Sequence, residues 1–308
     1  MKFAIYQDSV TGQRRSNQDR MGHCYTRESL MMMVADGMGG HLRGEVAAQL
    51  SLQAAASEFQ AAARPVLPDP QAYLRSALRR GHRDILSHRL RESLPESPRT
   101  TAVVCVIQQG RAWWAHAGDS RLYLIRNGAV LERTRDHSKV QNLIDLGVLR
   151  PEEAEHHPER NMVLNCLGAP VDPSVETDGP VTLEPGDIIL MCTDGVWAPL
   201  SQDALVRAML AEPLEVSVPR LVRNAVDLAG PNADNATAVA MIWAPQEAAA
   251  RTAAAARSGP GSARQEQAAA ASHAGATGHA SSHDPLDADA VERTIREIRE
   301  AIARTGGS

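Results

Sequence analysis

The chain has 308 residues, with 32 Lys and Arg against 37 Asp and Glu, a formal charge of −5 with His neutral. That mildly acidic balance argues against a protein held to nucleic acid by phosphate contacts, which need a basic face. Hydrophobic residues make up 43%, enough for a sizeable core, yet no run approaches the ~18–20 apolar residues that cross a bilayer.

The N-terminal stretch MKFAIYQDSV lacks a signal-peptide core. The first strand expected is Leu30–Ala35, ending at Asp36-Gly37, and helical patterns follow at Gly44–Ala62 and Gln71–Glu92. Strands come next at Thr101–Ile107, Ala112–Ala117, Arg121–Arg126 and Ala129–Thr134. Gln109-Gly110 and Asn127-Gly128 read as tight turns, the second as a type I′ hairpin. His156-His157, before Pro158, falls in an expected solvated loop. Beyond it lie a strand at Asp187–Cys192, helices at Ser201–Ala211 and Pro219–Ala229, and a strand at Thr237–Trp243. Strands in groups, with helices inserted in pairs, predict an α+β fold of layered antiparallel sheets covered by helices.

Residues 1–245 thus carry the folded domain. Residues 246–284 are rich in Ala, Gly, Ser and His and, up to His283, contain no Leu, Ile, Val, Met or aromatic residue, so a flexible linker is expected. In residues 285–304, Ala288, Val291, Ile295, Ile298 and Ile302 recur at spacings of 3 and 4. This is the stripe of an amphipathic C-terminal helix that packs on the domain, on another copy or on a partner.

Four cysteines, Cys24, Cys105, Cys166 and Cys192, form no CxxC pair, which speaks against a zinc ribbon or disulfide scaffold and for a reducing cytoplasm. Cys192 has no basic neighbour in sequence and reads as a buried small hydrophobe, Met31–Met33 as core strand, and the Arg75–Arg91 run as the polar face of a helix.

Four aspartates sit at ends of apolar segments or in tight turns: Asp36 in MMMVADGMGGH, Asp119 in AHAGDSRLYL, Asp194 in IILMCTDGVW and Asp234 in PNADNATAVAM. Singly, Asp-Gly is a favoured turn dipeptide. Gathered, such carboxylates repel one another unless cations neutralise them, and hard oxygen donors suit Mg²⁺ or Mn²⁺, so a dinuclear metal site is expected.

The ordered segments GQRRSNQDR (12–20), VADGMGGH with GE following (34–45), TTAVV (100–104), HAGDSRLYLIR (116–126), TRDHS (134–138), the HHPERN-to-LG stretch (156–168), GDIILMCTDGV (186–196) and DNATAVAM (234–241) carry a resemblance. Over roughly residues 3 to 243 the chain resembles the bacterial metal-dependent Ser/Thr protein phosphatases of the protein phosphatase 2C type. The resemblance implies a four-layer α-β-β-α sandwich of two antiparallel sheets flanked by helices. It implies two Mn²⁺ or Mg²⁺ ions, with Asp36 bridging both, the Gly37 carbonyl on one, and Asp194 and Asp234 on the other. Asp119 would hold a third ion with Asp194, Asp19 would hold metal-bound water, and Arg14 would bind phosphate, with Arg15 facing the opposite side of a strand. The implied reaction is hydrolysis of phosphoserine and phosphothreonine in proteins by a metal-activated water, opposing a cognate protein kinase. A catalytically silent phosphoprotein-binding module of the same fold is the alternative, and the full set of aspartates disfavours it.

Three positions depart from the family's pattern. Gln18 stands where many relatives have Glu. Met38 follows the Asp-Gly where eukaryotic members carry a His, which leaves His41 or a water as the general acid, or His41 as a structural cap. Leu164-Asn165-Cys166-Leu167-Gly168 stands for Thr-Arg-Ala-Leu-Gly, an arginine lost beside the active site.

Overall fold

A computed structural model describes residues 1–38 and 43–243. The expected linker and C-terminal helix lie outside the described residues, as does His41.

The first sheet contains β1 (Phe3–Val10), and the second contains β2 (Arg20–Tyr25) and β3 (Ser29–Ala35). A two-residue strand β4 (Gly37–Met38) precedes α1 (Gly44–Ala62) and α2 (Pro70–Arg91) and pairs with β5 (Arg99–Thr100). Then come β6 (Ala102–Gln108), β7 (Arg111–Ala117), β8 (Arg121–Arg126), β9 (Ala129–Arg133) and α3 (Lys139–Asp145). The chain continues through β10 (Glu176–Thr182), β11 (Asp187–Cys192), α4 (Asp194–Trp197), α5 (Gln202–Ala211), α6 (Leu214–Ala229) and β12 (Ala236–Trp243). The five-stranded sheets run β1-β12-β11-β8-β9 and β10-β7-β6-β3-β2, and every named strand pair is antiparallel.

Side-chain alternation explains the layers. In β3, Met31 and Met33 face α1 and α2, meeting Phe59, Leu74 and Leu78. Met32 and Val34 point the other way, against Leu122, Ile189 and Met241 of the first sheet. A strand buried on both faces reads as an unbroken apolar run, and each such side chain contributes ~1.5–3 kcal/mol by leaving water. The outer face of the first sheet packs Ile188, Leu190 and Ala238 on Leu205, Met209, Val218 and Leu221 of α5 and α6. The result is the expected α-β-β-α sandwich. Cys192 belongs to this last layer, fully buried, and burial pushes its thiol up to about 12.

Apart from the two-residue strands β4 and β5, three strands, β1, β2 and β10, were not legible in the sequence. All three are sheet edges, partly exposed and without a long apolar run, and β10 carries Gly179-Pro180 beside a register shift. The fourth edge, β9, was announced by its turn: Asn127 and Gly128 have φ of 51° and 80°, both positive as type I′ requires. The last helix begins at Leu214, five residues before the expected Pro219. Leu214, Val218, Leu221, Val222 and Ala225 form one buried stripe, whose burial offsets the ~3 kcal/mol cost of an interior proline.

The registers bring five chain passages to one end of the sandwich. Val10 at the end of β1 pairs with Ala236 at the start of β12, and Cys192 at the end of β11 faces both Ala238 and Arg121. In the other sheet, Val34 near the end of β3 pairs with Val103, and Ala117 closing β7 pairs with Ala102.

Candidate metal centre

That end holds a cleft of about 490 Å³ whose lining includes Asp36, Asp119, Asp194, Asp234 and Arg14. Asp36 leaves β3 and Asp194 opens α4, so both Asp-Gly pairs sit at strand ends, and neither closes a hairpin. Glycine is needed at 37 because the backbone is crowded there: a Cβ would lie 2.4 Å from the Gly44 carbonyl and 2.6 Å from that of Gln18. Gly195 is equally constrained, since its Cβ would lie 2.0 Å from the Asn235 carbonyl.

Uncharged side chains and one ion pair hold the frame. The Asp36 carbonyl accepts from the Thr101 amide (2.9 Å) and the Thr100 hydroxyl (2.8 Å). Asn235 accepts the Gln18 N–H at 2.8 Å and donates to the carbonyls of Thr11 (2.8 Å) and Ser16 (3.0 Å). It thereby ties residues 11–18 to the start of β12. The Thr193 hydroxyl donates to Asp19 Oδ2 at 2.9 Å and itself accepts the Thr237 amide at 3.1 Å. Asp119 is fixed through its backbone, with the Trp197 indole donating to its carbonyl at 3.0 Å. That indole lies under Arg121, which forks onto Asp136 at 2.8 and 2.6 Å. None of these framing residues was assigned a role from the sequence, although Asn235, Thr101 and Thr193 lie within the segments that carry the resemblance.

The electrostatics are those of a cation site. Asp19 and Asp119 are each 4% exposed. Desolvation, then the neighbouring carboxylates, pushes Asp19 up to about 7 and Asp119 up to about 8. Asp36 is driven well above the carboxylate range by the same causes, and Asp194 is raised by desolvation and by Asp234. Asp19 Oδ1 and Asp194 Oδ1 are buried with no hydrogen-bond partner. Orphaned carboxylate oxygens in a mutually repelling, all-oxygen set, with no Cys or His in the lining among the described residues, fit hard divalent cations such as Mg²⁺ or Mn²⁺.

Arg14 lies at the rim, its Nη2 2.6 Å from Asp234 Oδ2. That contact raises the guanidinium pKa. The expectation that Arg14 and Arg15 face opposite sides of a strand is corrected: β1 ends at Val10, residues 12–16 form turns and bends, and both arginines line the cleft. They differ in partner, since Arg14 reaches an aspartate and Arg15 has no ion pair among the described residues. Gln18 also lines the cleft, and its amide donates to Glu45 of α1 at 3.2 Å. Asn161 and Val163 form a further part of the cleft wall. The expected loop at His156-His157 is partly ordered, with a 3₁₀ turn over Pro151–His156.

Comparison with known proteins gives a consistent frame. The protein phosphatase 2C family model matches residues 7–225. The serine/threonine protein phosphatase PstP of Mycobacterium tuberculosis is 34% identical over 216 residues, covering 68% of this chain and 39% of that protein, so the chain matches well under half of that relative's length. Protein phosphatase PhpP of Streptococcus pneumoniae is 32% identical over 246 residues, covering 79% of this chain and 97% of PhpP. Among solved structures, the catalytic domain of PstP in complex with two manganese ions aligns with a TM-score of 0.67 at 32% identity, covering 79% of this chain and 99% of that one.

Proposed function

Because the chain belongs to the protein phosphatase 2C family, we propose that it is a protein-serine/threonine phosphatase that removes phosphate from phosphoserine and phosphothreonine, opposing a cognate protein kinase. The observation that carries this reading is the gathering of Asp19, Asp36, Asp119, Asp194 and Asp234 at one end of the sandwich with Arg14 at the rim. Asp36, the Gly37 carbonyl, Asp194 and Asp234 would hold two Mn²⁺ or Mg²⁺ ions, and Asp119 with Asp194 a third. Two such ions would supply a water of lowered pKa and polarise the phosphoryl oxygens for in-line displacement.

The chain's own groups do the rest. Arg14 exchanges Asp234 for the phosphate dianion, its planar fork matching two phosphoryl oxygens and spreading charge as it develops. Asp19, anchored by Thr193 through Oδ2, presents its free Oδ1 to accept a hydrogen bond from water and so orient it. The leaving alkoxide takes its proton from His41 or from solvent, a step worth ~10²–10⁴-fold. Among the described residues no helix is long and apolar enough to cross a membrane.

Arg14→Ala is expected to lower kcat/KM for a phosphate monoester by about 10²-fold, and Arg15→Ala by less than about threefold. Equal losses would show that the two arginines share the phosphate.

The reading is tested with p-nitrophenyl phosphate and with peptides bearing phosphoserine, phosphothreonine or phosphotyrosine, with and without Mn²⁺. The full chain and a version ending at Pro245 are both expected to turn over the ester and the first two peptides in Mn²⁺, with kcat/KM for the ester within about twofold of each other. No Mn²⁺-dependent hydrolysis by either would overturn the function. Loss confined to the shorter chain would place residues beyond 245 inside the domain.

A further inference from the structure

Outside the aspartate cluster, His116 of β7, His137 after β9 and Glu176 of β10 converge, with one potential ligand atom from each within 4.8 Å of the others. Their protons decide what they do. His116 Nε2 lies 2.7 Å from the Arg135 carbonyl, which can only accept, so that nitrogen carries hydrogen. His137 Nδ1 faces two donors, Asn165 Nδ2 at 2.6 Å and the Gly118 amide at 3.3 Å. Ser174 sets the orientation of the Asn165 amide, its N–H donating to Oδ1 (3.1 Å) and its carbonyl accepting from Nδ2 (2.7 Å). His137 Nδ1 is therefore bare, and its proton sits on Nε2, donated to Glu176 Oε2 at 3.0 Å. With both Nε2 atoms protonated, neither Nε2 offers a lone pair to a cation beside Glu176, and the bare Nδ1 of His116 is buried without a partner. The cluster is a hydrogen-bonded latch.

Its connections lead to the cleft. The His137 amide donates to the Gly118 carbonyl at 3.0 Å, and the Leu164 amide donates to the His137 carbonyl at 2.8 Å. Gly118 immediately precedes Asp119, while Val163, which lines the cleft, is bridged to Ser138. One residue thus joins the Asp119 turn, the 161–165 wall and β10. The wall also presents apolar surface, since Met162 and Leu164 are 44% and 55% exposed.

We propose that His137, through the acceptor Nδ1 it offers to Asn165 and Gly118, is a positioning residue that holds the 161–165 wall where the polypeptide of a phosphoprotein substrate passes over the cleft. The inference rests on the phosphatase reading. A small ester engages only Arg14 and the aspartates, whereas a peptide also meets the wall, so the latch acts on peptide substrates and leaves ester chemistry alone.

The test uses the full chain with His137→Gln, His137→Asn and Asn165→Ala. Asparagine places an oxygen near the position of the imidazole Nδ1 and keeps the acceptor, while glutamine reaches toward Glu176 and loses it. His137→Gln and Asn165→Ala are expected to raise KM for a phosphothreonine peptide at least about fivefold with kcat within twofold, and to leave kcat/KM for p-nitrophenyl phosphate within twofold. His137→Asn is expected to keep the wild-type peptide KM, and the Gln/Ala double variant to be no worse than either single. Hydrogen exchange of the Gly118 and Leu164 amides in metal-free protein should accelerate in the Gln and Ala variants and not in the Asn variant.

An unchanged peptide KM despite faster exchange would overturn the proposal in favour of a purely structural latch. Equal damage from Asn and Gln would overturn the Nδ1 assignment, and equal losses on ester and peptide would overturn the substrate-wall role. Asn165→Ala, which leaves His137 in place, decides the matter if His137→Gln fails to fold. Absence of ester hydrolysis by the wild-type chain would overturn the phosphatase reading and this use of the latch with it, while exchange would still report whether the latch exists.

Discussion

Asp36→Ala is expected to lower kcat/KM for p-nitrophenyl phosphate by about 10³-fold or more while leaving the metal-free protein at least as stable as the wild type. The two halves have one cause. Asp36 is raised by desolvation first and then by Asp19, Asp194, Asp119 and Asp234 in turn, so without cations its charge is a liability to the fold, and with them it would be a ligand. Its backbone bonds to Thr100 and Thr101 survive the substitution, which keeps the strand end in place. Activity within about tenfold of wild type, on protein with an unchanged Tm, would remove Asp36 from the chemistry.

Metal removal should cost stability as well as activity, and the cost should grow with pH. Asp19 and Asp119 lie near 7 and 8 in the folded chain against 3.8 when unfolded. The native state therefore binds more protons than the unfolded one between about pH 4 and 8, and the linkage slope is negative there. The favourable contribution is complete below the unfolded value and is lost as pH rises through the folded values, the reverse of a salt-bridged carboxylate. Each tenfold change in proton affinity is worth ~1.4 kcal/mol, so the two groups together make this an effect on the order of a few kcal/mol. In EDTA, Tm is expected to fall by at least about 5 °C between pH 5.5 and 8.5, hydrolysis to vanish, and added Mn²⁺ to raise Tm more at the higher pH. Asp19→Asn should flatten the EDTA slope. A Tm that rises across this range in EDTA would show that the carboxylates do not carry the penalty ascribed to them.

What could be read from the sequence follows from how local each signal is. The aspartates were legible because each sits beside an apolar strand or in a tight turn, two of them followed by glycine, a pattern complete within about ten residues. The residues that hold them were not, because their meaning depends on distant partners: Thr193 is 174 positions from Asp19, and Asn235 is 217 from Gln18. The same contrast divides the strands. Central strands declare themselves by unbroken burial, whereas β1, β2 and β10 each have only one neighbour in their sheet and mix polar with apolar residues. Arg14 was identified by its place in the segment GQRRSNQDR that carries the resemblance, while the strand geometry invoked to separate it from Arg15 does not exist. His137 stands within TRDHS without a role of its own there, since nothing in those five letters points to Asn165 or Ser174.

The pairing of β1 with β12 also sets the order in which the aspartate cluster can be completed. Phe3 lies opposite Trp243 and Val10 opposite Ala236, so the first strand made waits for the last before its edge is satisfied. Closing so long a loop adds little free energy, because the cost grows only with the logarithm of length, but it delays these non-local contacts until residues 236–243 have been made. Arg14 and Asp234 meet only when that closure happens. A ribosome-bound chain can assemble the β3-β6-β7 sheet and its two helices before Asp194 and Asp234 are made, so a growing polypeptide would have no hydrolytic capacity until residues 194–243 have joined it. The same adjacency makes the domain a candidate for circular permutation, with a short bridge from 243 to 3 and new ends opened at the Asn127-Gly128 turn.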